Sequence, residues 1–275
     1  MDKYFEGKRV LVTGGCQGIG KGIVLELWRL GANVVALSHQ ADNLNKLKNE
    51  YPSIEIACVD LCDWDKTRKV IDSLGVFDGL VNCAGFIYNQ PFLECSPEIF
   101  AMTMDVNVKA ILNVSQVIAK KMIANKIKGA IVNISSQTSM VWCIFKYKLA
   151  NVCSSSALAD LFRLLPLSSP HAAIKDHVAY ASSKAAVDAM TRVMALELGP
   201  HGIRVNAINP TVILTELGRR AWADPVKAQN MLSKIPLGRF GEVHEAVNAI
   251  VFLLSDKASM INGVQLPVDG GFLAT

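Results

Sequence analysis

Short apolar runs closed by small residues alternate along this chain with stretches whose apolar positions recur at helical spacing. Lys8-Arg-Val-Leu-Val-Thr-Gly14 is β-branched, apolar and stopped by glycine, which predicts a buried parallel strand. Further strands are expected at 31–37, 54–59, 79–81, 129–134 and 202–208, with a late strand and turn over 263–271. Helices are expected over 21–30, from about Ser96, and over His177–Leu198, where Val187, Met190, Met194 and Leu198 share the apolar positions. Residues 216–234 read as mobile helices over a pocket. This alternation, with no break in composition, predicts an α/β fold: one doubly wound, Rossmann-like parallel sheet in a single domain over 1–275.

Composition narrows the class. At 275 residues and 51% hydrophobic, the chain is long enough to bury a large core. A net charge of +4 on scattered Lys and Arg residues implies neither nucleic acid nor an anionic membrane as partner. No apolar run reaches the ~18 residues of a spanning helix. The seven cysteines are odd in number and lack paired CxxC spacing, and the first residues are charged rather than a signal peptide. Reduced thiols, mostly in the core of a cytoplasmic protein, are therefore expected. Cys58 and Cys62 have no second pair to complete four ligands, so no metal is expected.

The first strand enters Thr13-Gly-Gly-Cys-Gln-Gly18-Ile19-Gly20. Glycines at 14, 18 and 20 permit a tight turn and let backbone N–H groups approach a pyrophosphate at a helix N-terminus. The second strand ends in Ser38-His39-Gln40, where an acidic residue would bind a ribose hydroxyl and repel a 2′-phosphate. None is present; Ser38 donates and His39 becomes cationic beside phosphate, so NADP(H) is expected over NAD. Asp60-Leu61 closes the third strand, where the carboxylate is placed for an adenine amine. Asn82-Cys-Ala84-Gly85 follows the fourth with small residues that allow close packing against a cofactor. Backbone groups after Pro210, Val212 among them, and the Thr215 hydroxyl are suited to a carboxamide such as nicotinamide.

The chemistry centres on Tyr180-Ala-Ser-Ser-Lys184. A tyrosine and a lysine four residues apart lie on one helix face, and a cation beside a phenol favours its ionised form. The fifth strand delivers Ser135 and Ser136 to the carboxyl edge of the sheet, where sites in such folds lie. Asn107, a polar residue in an apolar helical pattern, must be hydrogen-bonded if buried and is suited to holding a water.

The set Thr13, Gly14, Gly18, Gly20, Asn82-Cys-Ala-Gly85, Asn107, Ser136 and Tyr180-x-x-x-Lys184 resembles the short-chain dehydrogenase/reductase family across almost the whole chain. Asn82-Cys stands where that family more often has Asn-Asn. Ile134-Ser-Ser-Gln-Thr-Ser, Met194–His201, Val205–Val212 and Ile235–Phe240 look closest to its NADPH-using, tetrameric carbonyl reductases, which reduce ketoses and α-dicarbonyls. The resemblance implies that Ser136 binds a substrate carbonyl and Tyr180 protonates it. Lys184 would lower the tyrosine pKa and hold the nicotinamide ribose, and Asn107 would order a relay water. His177 and Trp222 would line the substrate pocket, and the chain would form a homotetramer.

One departure stands out. Ser136 and Tyr180 are 44 positions apart, against about a dozen in the family, which adds a connection beyond the ~12–15 residues at which plain loops become unusual. The extra residues fall at about 141–171 and fit no recognisable motif. As a surface excursion or partner-binding lid they leave the fold intact, since lengthening a loop costs only ~0.6 kcal/mol per doubling. As translated intron or alternatively spliced sequence, suggested by the pyrimidine-rich codons of Phe, Leu, Pro and Ser, they would leave a cofactor-binding or oligomer subunit of impaired activity. An NAD-linked alcohol dehydrogenase of the same family is the remaining alternative.

Overall fold

The computed structural model describes residues 3–140 and 174–274. The insertion expected at about 141–171 lies outside the described residues. Seven strands, β1 (Arg9–Thr13), β2 (Asn33–Ser38), β3 (Glu55–Cys58), β4 (Gly79–Asn82), β5 (Ala130–Ile134), β6 (Arg204–Pro210) and β7 (Gln265–Val268), form one sheet. Its order is β3-β2-β1-β4-β5-β6-β7 and every pairing is parallel. The order reverses direction between β1 and β4. That switch point opens a crevice beyond Thr13 and Asn82, the place where open α/β sheets bind ligands.

Side-chain alternation along the strands splits the core in two. Val10, Val12, Val34 and Ala36 face one side, packed on Ile23, Val24 and Leu27 of α1 (Gly18–Arg29), Leu44 and Leu47 of α2 (Ala41–Glu50) and a later helix over 243–254. Leu11, Val35, Leu80 and Ile131 face the other. They meet Ile71 of α3 (Trp64–Ser73), Val114, Ile118 and Met122 of α5 (Ala110–Ala124), and Ala195 of α6 (Val178–Leu198). Both faces are covered, so the central strands read as continuous apolar runs. Between α3 and α5 lies α4 (Pro97–Met104), capped by Ser96, whose Oγ accepts from Ile99 N at 3.3 Å. α7 (Glu216–Ala221), α8 (Pro225–Leu232) and α9 (Val243–Leu254) complete the described helices.

Two boundaries and three helices differ from expectation. α1 begins at Gly18 rather than Lys21, because Gly18 and Gly20 themselves form its first turn. β6 runs on to Pro210, since Asn209 and Pro210 pair with Pro267 and Val268. Helices α2, α3 and α9 occupy stretches where the sequence reading specified none. The cysteines are also less buried than expected: among the five described, Cys16 is buried, Cys58 is exposed and the others are intermediate, all as free thiols.

Candidate active site

The glycine turn is built by close approach. A Cβ on Gly20 would lie 2.1 Å from the Gly14 carbonyl oxygen, and one on Gly14, at φ +67°, would lie 2.9 Å from Ala84 Cα. Only glycine allows the α1 N-terminus to close against the end of β1 and the turn after β4. Thr13 serves the same junction: its Oγ1 accepts from Cys83 N at 3.1 Å and Ala84 N at 3.2 Å. At the other wall, a Cβ on Gly18 would meet the Thr215 methyl at 3.3 Å, so the segment after β6 borders the turn. The α1 N-terminus has neither a side-chain cap nor an acidic residue in its first turn. Its free N–H groups and positive dipole end, lined by glycine, fit the pyrophosphate of a dinucleotide.

At the adenosine end Ser38 is buried, its Oγ lying 3.2 Å from both Cys16 Sγ and Gln40 N, and His39 is exposed. Asp60 is exposed beside them; its Oδ1 accepts from Cys62 N at 3.0 Å, leaving the other oxygen open. Leu61 packs against the core. Ile19 and Val212 likewise border packed clusters. Thr215 caps α7 by accepting from Gly218 N at 3.0 Å, a structural duty beside any contact with a carboxamide.

Tyr180 occupies the first turn of α6, and Lys184 follows one turn on. Lys184 is almost fully buried, with its Nζ donating to the Ile134 carbonyl at 2.7 Å and lying 5.5 Å from the Tyr180 ring centroid. Its backbone carbonyl accepts from Ser135 Oγ at 3.1 Å, so the end of β5 grips the lysine at both ends. Burial pulls the Lys184 ammonium down to about 8, opposed by Cys83 to the extent that its thiol ionises and by the Asp188 carboxylate. The phenol of Tyr180 is pushed above its usual range by burial and drawn back by a hydrogen bond with Ser136. Gly85 borders this region, its Cβ position lying 3.6 Å from Asn107 Oδ1 and 3.8 Å from Lys184 Nζ.

Asn107 is fully buried in a π-helical turn, Asp105–Lys109. Its Oδ1 accepts from Phe86 N at 2.7 Å, and its Nδ2 donates to Phe86 O and to Ser183 Oγ, each at 2.9 Å. The Asn107 side chain thus ties the β4 turn to α6. Beneath it, Asn82 donates to Ser115 Oγ at 3.0 Å and to Asn133 Oδ1 at 2.8 Å, and Asn133 donates to Thr191 Oγ1 at 2.9 Å. Asn82 is therefore buried framework rather than crevice lining.

His177 precedes α6, its ring edge-on to Tyr180 with centroids 6.3 Å apart and its Nδ1 on the Lys175 carbonyl. It stands beside the phenol, as a pocket-lining residue must. Trp222 packs on Phe240 at 5.5 Å and is covered by Lys227 Nζ at 4.7 Å within a small cluster with Met231, Ile235 and Phe272. Sequence reasoning missed Ser183, Ser139, Asp188 and Asn209: Ser183 and Ser139 bond the Tyr180 and Ser136 carbonyls three residues away, while the contacts of Asp188 and of Asn209 with the β5 end are long-range.

A dinucleotide crevice at the switch point with a Ser, Tyr and Lys converging on its rim defines an oxidoreductase, and the chain belongs to the short-chain dehydrogenase/reductase family. The family model described as short chain dehydrogenase matches residues 8–149, and one described as Enoyl-(Acyl carrier protein) reductase matches residues 163–273. The chain is 46% identical over 274 residues to an L-xylulose reductase of Homo sapiens, covering 100% of both chains. It is 44% identical over 274 residues to a D-erythrulose reductase of Gallus gallus, covering 100% of this chain and 99% of the other. Its fold is similar to that of a gluconate 5-dehydrogenase from Burkholderia cenocepacia J2315 in complex with NADP and tartrate. That match has a TM-score of 0.82 and 28% identity, covering 100% of this chain and 99% of the other. Among the described residues, no helix is long and apolar enough to cross a membrane.

Proposed function

We propose that this chain reduces the carbonyl of small ketoses, L-xylulose among them, and of α-dicarbonyls, using NADPH. The observation that carries this reading is the convergence of Ser136, Tyr180 and Lys184 at one end of β5 and α6, beside a glycine turn suited to a dinucleotide. Gly14, Gly18, Ile19 and Gly20 would hold the pyrophosphate, with Asp60 and Leu61 at the adenine and Ala84 and Gly85 along the chain of the cofactor. Lys184 would hold the nicotinamide ribose, and Pro210, Val212 and Thr215 the carboxamide. When bound, the cofactor supplies hydride to the carbonyl carbon. As the oxygen gains charge, the Ser136 hydroxyl donates to it and Tyr180 gives it a proton. The Lys184 ammonium then stands behind the ring that has become a phenolate.

NADPH over NADH is supported by the lack of any acid in Ser38-His39-Gln40 and by the NADP of the Burkholderia relative. The five described free thiols accord with a cytoplasmic setting, and we extend the reading to a homotetramer. The test is steady-state turnover with L-xylulose and diacetyl under NADPH and NADH. A kcat/KM favouring NADPH by at least about tenfold (~1.4 kcal/mol), lost in His39→Asp, supports it; equal use of NADH argues for the NAD-linked alternative.

The 44-position separation of Ser136 and Tyr180 favours a second reading, a catalytically impaired subunit. Deleting residues 141–171 separates the two: equal activity makes the extra residues a tolerated excursion, and activity only after deletion makes this chain the impaired form.

A further inference from the structure

Behind the catalytic edge lies a polar cluster that the proposed reaction does not use. Asp188 follows Lys184 by one turn of α6 and is only 5% exposed. Its Oδ2 accepts from Ser139 Oγ at 2.5 Å and from Asn209 Nδ2 at 3.0 Å. Asn209 Nδ2 also reaches the Ser136 carbonyl at 3.1 Å and Ser139 Oγ at 2.8 Å. Ser135 Oγ, which holds the Lys184 carbonyl, lies 3.2 Å from Ser139 Oγ. Among the described residues Asp188 Oδ1 has no hydrogen-bond partner. A buried carboxylate with one oxygen unbonded is costly unless a cation stands near, and the buried cation on its own helix face is Lys184.

We propose, on the reading that this is a carbonyl-reduction site, that Asp188 is its positioning residue: it fixes the Ser136 backbone through Ser139 and Asn209 and keeps Lys184 charged behind Tyr180. Several groups face Lys184. The turn after β4 brings Cys83, α6 itself brings Tyr180 and Asp188, and the π-helical turn brings the neutral Asn107. The Asp105–Lys109 pair of that turn lies at the surface, with half of each side chain exposed. Burial pushes the Cys83 thiol up to about 12, so it is neutral where Lys184 titrates, near 8. Asp188 is then the buried anion available to hold the ammonium. Residues four apart on a helix have Cβ atoms ~5–6 Å apart, and an opposite charge within ~4–6 Å moves a titration by ~1–3 pH units.

The test compares the full-length chain with Asp188→Asn and Asp188→Ala, whichever folds as judged by circular dichroism and gel filtration, in two readouts. The first is the Lys184 resonance in protein labelled with 13C-lysine, assigned by its loss in Lys184→Met. Its midpoint is expected near 8 in the unsubstituted chain, and lower by about one pH unit in both Asp188 variants. The second is the pH profile of kcat/KM, whose alkaline limb moves down with the resonance while the Kd for NADPH changes less than about twofold (~0.4 kcal/mol). An unmoved Lys184 midpoint in a folded variant overturns the proposal, whether or not the enzyme turns over, and marks Asp188 as structural only. A moved midpoint with no turnover by the unsubstituted chain leaves the charge coupling standing and removes the carbonyl-reduction reading instead.

Discussion

Lys184 Nζ stands 5.5 Å from the centre of the Tyr180 ring and is anchored to the Ile134 carbonyl at 2.7 Å. The pair is held from two sides, because the phenol also meets Ser136 at the end of the same β5 edge. Burial disfavours charge on both partners, keeping the tyrosine protonated and bringing the lysine close to losing its proton. A proton donor for a developing alkoxide needs the first property, and stabilising the resulting phenolate needs the lysine still charged.

A pH dependence follows from those directions. Reduction should be steady near neutrality and fall as pH rises through about 8, where Lys184 is lowered to lose its proton. A steady-state profile of kcat/KM with diacetyl checks this; a rate that climbs through pH 9 would contradict it.

The same lysine weakens the fold. Its folded value near 8 lies below the ordinary 10.5, so the unfolded chain binds the extra proton and stability rises with pH between those values. Charge burial costs about 3 kcal/mol below that window. The rise of stability with pH between about 8 and 10.5 should therefore be absent in Lys184→Met, which also loses turnover. Thermal melts across that range read the effect.

Much of this was legible in the sequence. The parallel strands are recognisable because both sheet faces are covered, so their residues are apolar without alternation. Thr13, Gly14, Gly18, Gly20, Tyr180 and Lys184 are legible because local chain geometry alone demands them. Asp188 and Asn209 were not, since each matters through contacts with residues 21 to 73 positions away, and Ser139 is tied to both at 49 and 70 positions. Trp222, at the C-terminal end of the short α7, packs on Phe240 in a satellite core, a contact the sequence pattern does not show.

At the glycine turn, Gly20→Ala would force a methyl to within 2.1 Å of the Gly14 oxygen. The turn must open, and NADPH affinity should fall by more than about tenfold, or ~1.4 kcal/mol. Isothermal titration measures it, and a fully retained Kd would show that the turn does not cradle the cofactor.

Away from the site, Glu245 ties α9 at its start. Its Oε2 accepts from Glu242 N at 2.8 Å, and the Arg239 guanidinium grips both oxygens at 2.7 Å, holding the carboxyl down to about 2. That support is present above the ordinary 4.5 and is lost as pH falls through about 2. Because the pair is partly exposed, Glu245→Ala should cost about 1 kcal/mol, chiefly as a lost cap. Urea unfolding at pH 7 and pH 2.5 checks this, the difference between the two proteins narrowing at the lower pH.

The most direct test of the central claim is NADPH oxidation with L-xylulose and diacetyl by the unsubstituted chain and by Tyr180→Phe. The account predicts turnover that drops by ~10²–10⁴ in the variant, with NADPH binding retained in both. Binding of NADPH without turnover of either substrate by the unsubstituted chain, or a Tyr180→Phe variant as fast as its parent, would contradict it.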